Sequence, residues 1–198
     1  MEGTSTYTAF AGTALIASGE LEDVLGRSRE RMDRGDGATV LFFEDATGTQ
    51  VDFDLRGTAE EIIGRLASHP YLTARRDAAP PRSGPGRPRL GVVSREVTLL
   101  PRHWEWLERQ PRGISAALRR LVDEARKQDP GTDRLRAARE AAGRFMTAVA
   151  GDLPGYEEAS RALYAGDRDG LRERVAAWPP DVRGYLERLL DRAEGPGA

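Results

Sequence analysis

The chain has 198 residues, of which 39% are hydrophobic and 31% charged, and its formal net charge is −2. This composition is typical of a soluble globular protein with one domain or two small ones, and it excludes wholesale disorder. The absence of cysteine excludes disulfides, thiolate metal sites and cysteine nucleophiles. The longest uncharged run, residues 3–19, is rich in Thr, Ser and Gly and has no basic leader, so we expect a cytoplasmic protein without a membrane span.

Charge is distributed unevenly along the chain. Residues 1–74 contain 13 acidic and 6 basic residues, residues 75–127 contain 6 acidic and 13 basic ones, and residues 128–198 contain 13 acidic and 11 basic ones. The middle segment therefore favours a polyanionic partner. Because Lys127 is the only lysine among 30 basic residues, arginine is preferred throughout the chain, and arginine richness alone says little about nucleic-acid binding.

Residues 1–73 are predicted to form an α+β domain, a small antiparallel sheet with helices built from two strand–strand–helix units. The segment "YTAFAGTALIASG" is typical of a hairpin that turns at Gly12, and a helix follows it. The segment "ATVLFFEDATGTQVDFDLRG" repeats this order with a turn at Thr47–Gly48, and Thr58 and Glu61 have the spacing of a capping box before the second helix. A degenerate duplication and a coincidental similarity of two hairpins both explain the repeat.

Two further segments flank the centre of the chain. Residues 74–90 are rich in Pro, Gly and Arg without apolar periodicity, which predicts a basic linker or arm. Residues 129–198 are predicted to form a C-terminal helical bundle, because amphipathic stretches alternate there with the breakers Gly151, Pro154, Gly166 and Pro179–Pro180.

Residues 91–128 predict a strand followed by two helices. The strand covers residues 92–99, Pro101 suits the first turn of a helix that carries Trp104 and Leu107, and Ser115 is placed to cap a second helix. The apolar positions of the second helix, at helical spacing, are Leu118, Leu121, Val122 and Ala125. Through "REVTLLPRHWEWL" and "GISAALRRLVDEARK", residues 92–127 resemble the ribbon-helix-helix DNA-binding fold.

That resemblance implies an obligate homodimer whose paired strands form an antiparallel ribbon in the major groove. Strands of that fold place polar residues at the second, fourth and sixth positions before the proline, where this chain has Leu99, Val97 and Arg95. A shift of one residue instead turns Glu96, Thr98 and Leu100 outward. The sequence does not decide which of these two faces of the strand points outward.

The four residues "GRPR" at 86–89 resemble the core of an AT-hook. Proline favours an extended backbone, glycine permits close approach to the groove floor, and arginine suits a narrow minor groove. A linker is the alternative interpretation of this short pattern. The segments "YTAFAGTALIASG", "GRPRLGVVSREVTLLPRHWEWL" and "AGDLPGYEEASRALYAGD" together resemble a bacterial family of uncharacterised proteins, which implies a shared architecture and no activity.

Signals for an enzyme are weak, and we expect neither catalysis nor a metal or other cofactor. His69 and His103 are the only histidines and do not have the spacing of metal ligands or of a catalytic triad. The acidic residues Asp45, Asp52 and Asp54 flank a hairpin and are interpreted as its solvated face.

Two functions follow from these features. The first is a dimeric DNA-binding protein, a transcriptional regulator or nucleoid-associated protein, acting through residues 82–102. The residues assigned to DNA are Arg87, Pro88 and Arg89 in the minor groove, Arg95 and Thr98 toward the major groove, and Arg102 at a phosphate. The alternative is a non-enzymatic protein–protein interaction module in which strand 92–99 completes an intrachain sheet. Trp106 is a candidate dimer or partner contact, unless another helix of the chain covers it.

Overall fold

The computed structural model of the chain describes residues 5–35, 38–78, 95–128 and 130–193. The described residues confirm the α+β class, with a four-stranded antiparallel sheet and a larger helical part. They divide into two compact units. The larger unit contains residues 5–35, 38–71 and 131–193, and the smaller, central unit contains residues 72–78, 95–128 and 130. The sheet and the C-terminal helices, which the sequence analysis placed in separate segments, therefore belong to one unit.

The sheet consists of two adjacent hairpins. Its strands are β1 (Tyr7–Ala11), β2 (Ala14–Gly19), β3 (Val40–Glu44) and β4 (Thr49–Val51), in the order β2-β1-β3-β4 with antiparallel neighbours. Both expected turns are confirmed, and Gly12 and Gly48 have positive φ angles of 57° and 64°. The second hairpin is shorter than expected, because β4 ends at Val51 and the alternating run to Leu55 continues outside the ladder.

The helices of the N-terminal half are α1 (Leu21–Asp33), α2 (Ala59–Leu66) and α3 (Pro70–Ala78). The capping box of α2 is confirmed. The N–H of Glu61 donates to Thr58 Oγ1 at 3.3 Å, and the N–H of Thr58 donates to Glu61 Oε2 at 2.8 Å. Residues 74–78, assigned to the arm from the sequence, form the end of α3.

The central unit contains α4 (Pro101–Glu108) and α5 (Ile114–Gln128). The two helices contact each other, and Leu107 of α4 and Ala117 of α5 are buried. Arg112 and Gly113 in the intervening turn have φ angles of 72° and 81°. The turn thus contains two consecutive residues with positive φ angles. Glycine adopts this conformation readily, whereas for Arg112 it is unfavourable.

The C-terminal helices are α6 (Pro130–Ala150), α7 (Tyr156–Ala165), α8 (Arg168–Arg174) and α9 (Pro180–Asp191). They cover one face of the sheet, where the ring centroid of Phe145 in α6 lies 5.1 Å from that of Phe10 and 5.2 Å from that of Phe43. The opposite face packs through Phe42 against the buried side chains of α1 and α2. Because β1 and β3 bury both faces, the N-terminal half needs the C-terminal helices to complete its core.

Candidate functional site

The structure describes only some of the residues that the sequence assigns to DNA. Arg87, Pro88 and Arg89 lie outside the described residues. Arg95, Thr98 and Arg102 are exposed, Arg102 in the first turn of α4.

The strand expected over residues 92–99 is not formed in its described part, because residues 95–100 belong to neither a helix nor a strand. They pair with no strand of the described sheet, and a strand needs a neighbour to satisfy its backbone hydrogen bonds. Completion of an intrachain sheet, which the alternative function requires, is therefore absent from the described part of this segment. Since residues 95–98 are all exposed, the structure does not favour either outward face.

Exposed apolar side chains are frequent in the central unit. Val97, Leu100 and Trp106 are 53%, 50% and 44% exposed, and Leu121 and Val122 of α5 are 38% and 55% exposed. Contiguous exposed apolar patches are typical of interaction surfaces. Trp106, the partner contact expected from the sequence, belongs to this set, whereas Trp104 is half-buried.

The apolar stripe of α5 is buried only near its N-terminus. We call the surface formed by Leu118, Leu121, Val122 and Ala125 the α5 face. Ala117 is buried and Leu118 half-buried close to the contact with α4, but the three later residues of the α5 face are exposed. The sequence predicts this stripe correctly, and the structure shows that most of it has no cover among the described residues.

Four charged residues are adjacent in sequence to the exposed centre of the α5 face. Arg119 and Arg120 precede Leu121, and Asp123 and Glu124 follow Val122. No ion pair joins these residues to each other. Arg119 Nε donates to the carbonyl of Ser115 at 3.1 Å, and Arg120 Nη2 donates to Gln110 Oε1 at 3.4 Å.

Asp123 and Glu124 make no hydrogen bond or ion pair with the described residues. Both carboxylates are therefore available to a partner.

A polar network ties the sheet to α9 in the larger unit. Asp45 Oδ1 accepts hydrogen bonds from Thr8 Oγ1 at 2.7 Å and from the Tyr185 hydroxyl at 2.9 Å. Burial raises the pKa of the Tyr185 hydroxyl, and the neighbouring Asp45 carboxylate raises it further. The solvated role expected for Asp45 is thus wrong, because a residue 140 positions away supplies its buried donor. The contact is structural, since it contains no nucleophile paired with a base.

The other acidic residues of the hairpin behave as expected. Asp52 and Asp54 are exposed, and hydrogen bonds from Arg56 hold the pKa of the Asp54 carboxyl well below its ordinary range. His69 Nε2 lies 2.9 Å from the carbonyl oxygen of Asp52, and its ring contacts that of Phe53. No group of three metal-ligating side chains is present among the described residues.

One of three comparisons with known proteins gave a match. A family model described as "uncharacterized protein conserved in bacteria (DUF2239)" matches residues 6–190. The comparisons with curated proteins and with solved structures gave no significant match. Of the helices that the structure describes, none combines the length and the hydrophobicity needed to cross a membrane.

Proposed function

The chain belongs to the bacterial family DUF2239, and because the family description names no activity, we propose from the chain itself that it is a DNA-binding protein that acts as a homodimer, either a transcriptional regulator or a nucleoid-associated protein. Two copies associate through the α5 face, and residues 82–102 bind DNA. The observation that carries the dimer is the exposed α5 face, together with the four charges adjacent to its centre in sequence.

The order of these charges favours an antiparallel pair of α5 helices. Residues four apart lie on the same side of a helix, so Arg119 shares a side with Asp123 and Arg120 shares one with Glu124. A twofold axis between Leu121 and Val122 then places each arginine opposite an acidic residue of the second copy. A parallel pair would place arginine opposite arginine and acid opposite acid. Such charge patterns select the partner and its orientation, while the apolar centre supplies most of the affinity.

Charge reversal tests the dimer with an internal rescue. We expect R119D/R120E and D123R/E124R each to be monomeric in sedimentation velocity, because like charges then face each other across the axis. An equimolar mixture of the two variants should restore a dimer, since every opposing pair in the mixed species is again of opposite sign. The control is R126E/K127E, whose charges lie opposite Ala116 and Ala117 in this arrangement and which should remain dimeric.

A mixture that stays monomeric would show that the charges do not pair across this axis. A monomeric wild-type chain at micromolar concentration would exclude the dimer altogether.

The DNA-binding part of the proposal rests on exposed positive charge near the α5 face. Residues 75–127 contain 13 basic and 6 acidic residues, and the basic side chains described there are exposed. A dimer doubles this charge and the number of phosphates it neutralises. Residues 95–99 would acquire the missing strand partner from the second copy, as in the ribbon-helix-helix fold that the segment resembles. Arg102 would hold a phosphate beside the first turn of α4, and Trp106 would contact the second copy.

Fluorescence anisotropy of a labelled duplex at several salt concentrations tests DNA binding. We expect an affinity that falls steeply with salt, and a R87A/R89A variant whose log–log salt slope is smaller by about 2, because each arginine neutralises about one phosphate. The control is R27A, an exposed arginine of α1. Absence of binding at low salt, or equal slopes for R87A/R89A and the wild type, would overturn the DNA assignment and leave the dimer test unaffected.

A further inference from the structure

We propose that a cavity lined by the four C-terminal helices binds a short-chain monocarboxylate, with Arg139 as its anion-binding residue. The cavity has a volume of about 90 Å³. Its walls come from α6, α7, α8 and α9 and are mainly apolar, formed by Ala138, Leu163, Leu171 and Leu190 among others. All lining residues belong to the larger unit, whereas the segment assigned to DNA belongs to the other unit.

The size and polarity of the cavity limit what it holds. An apolar cavity of roughly 150 Å³ in another protein accommodates benzene, so this cavity suits an apolar group of about three or four heavy atoms. Water is a poor occupant, because an ordered water needs two to four polar partners and these walls offer few. Leu135, 42% exposed, also lines the cavity and gives it an opening to solvent.

Arg139 is the polar group of the cavity that has no partner within the described chain. It is half-buried and makes no hydrogen bond or ion pair with the described residues. The two other polar lining residues are engaged. Arg168 Nη2 lies 2.9 Å from Glu187 Oε2 and 2.6 Å from Asp191 Oδ1, and Asp167 Oδ1 accepts from the Gly170 N–H at 2.9 Å. A guanidinium without partners beside an apolar wall is suited to bidentate binding of a carboxylate.

Gly166 provides the space for the guanidinium of Arg139. This residue ends α7 with a φ angle of 76°, and a Cβ at this position would lie 2.5 Å from Arg139 Nη2. Without a side chain, Gly166 leaves room for the guanidinium of Arg139 beside the cavity.

The surrounding charges define the ligand class. A carboxylate would bind Arg139 while its alkyl group occupies the space between Leu163, Leu171 and Leu190. Asp167, which also lines the cavity, repels a second negative charge, so a monoanion is favoured over a phosphate dianion. Butyrate and isobutyrate match these requirements in size and charge.

Isothermal titration calorimetry of the full chain with butyrate tests the proposal. For a ligand of this size we expect a Kd of about 1 mM. Butyramide, which has the same shape without the charge, should bind at least tenfold more weakly, and so should phosphate. R139Q should lose at least tenfold in butyrate affinity, whereas R136Q, which alters an exposed arginine of the same helix, should not change it.

A138L provides a second variant that keeps Arg139 and fills the cavity, and it should abolish butyrate binding. Thermal unfolding of each variant without ligand verifies that it is folded. Equal affinities for butyrate and butyramide, wild-type affinity in folded R139Q or in folded A138L, or no heat of binding to the wild type at high millimolar butyrate would each overturn the proposal.

Discussion

At the scale of single residues, Gly48 shows how one backbone position joins distant parts of the chain. It lies in the turn between β3 and β4, is buried, and has a positive φ angle. A Cβ added there would overlap the backbone carbonyl of Ala141 in α6. Because the obstacle is backbone, a rotation of a side chain does not relieve it.

We expect Gly48→Ala to lower the free energy of unfolding by about 2–4 kcal/mol, from the cost of a left-handed alanine and from the overlap with α6. Gly12→Ala is the matched control, since Gly12 has a similar φ angle and no atom within 4 Å of the added Cβ. Gly12→Ala should lower the free energy of unfolding by about 1 kcal/mol. Urea denaturation measures both, and equal losses would show that the approach to α6 contributes nothing.

Residue-scale predictions from the sequence were accurate where the partners are neighbours in the chain. Gly12, the Thr58–Glu61 capping box and the helix-ending Gly166 were all identified, because each depends on backbone geometry within a few residues. Asp45 was misassigned because its donor Tyr185 comes from α9. Nothing in the local pattern distinguishes a half-buried carboxylate acceptor from a solvated one.

At the scale of elements, α8 and α9 are joined by a network of ion pairs. Glu187 of α9 accepts hydrogen bonds from Arg172 at 2.9 Å and from Arg168 at 2.9 Å. The hydrogen bond from Arg172 lowers the pKa of Glu187 below its ordinary value of 4.5, partial burial opposes the shift, and Arg168 adds to the lowering. The ionised form of Glu187 therefore stabilises the folded state.

Because the pKa of Glu187 is lower in the folded state, the ionised side chain contributes fully to folded-state stability above about pH 4.5. This contribution decreases as the pH falls below that value. We expect Glu187→Gln to cost about 0.5–1 kcal/mol at neutral pH, since the group is only partly buried, and the difference from the wild type to shrink in acid. Urea unfolding across the acid range measures this. Glu173→Gln, at an exposed position of α8, is the control and should show no such trend.

Many element boundaries followed from the sequence, and two of the differences have a common cause. The strand expected over 92–99 is missing from its described part, and β4 ends at Val51. Strands depend on partners that the sequence does not specify, whereas a helix satisfies its hydrogen bonds internally. The helices of the C-terminal half accordingly agree with their apolar periodicity and their breakers.

At the scale of the whole molecule, the sheet and the C-terminal helices share one core. Phe145 of α6 contacts Phe10, Phe43 and Tyr185, residues from β1, β3 and α9. Leu107, by contrast, is buried in the smaller unit. Substitutions of Phe145 and Leu107 therefore probe different compact units of the chain.

We expect Phe145→Ala to destabilise the larger unit by about 3–5 kcal/mol, through the lost contacts and the cavity left behind. Residue-resolved hydrogen exchange should show faster exchange of amides in β1, β3 and α9 together, because these elements lose one shared core residue. Leu107→Ala should accelerate exchange in α4 and α5 alone. Unchanged protection of β1 and β3 in the Phe145 variant would contradict the shared core.

The sequence by itself determined the α+β class, the two hairpins, most of the helices and the basic character of the centre, because these depend on local periodicity, turn residues and composition. Only the tertiary structure decided that the N-terminal sheet is completed by α6 and α9, that most of the α5 face is not covered by the described residues, and that Arg139, beside an apolar cavity, has no partner among them. Each of these depends on which distant residues come together. An amphipathic pattern shows that a face is to be covered, but not by which partner.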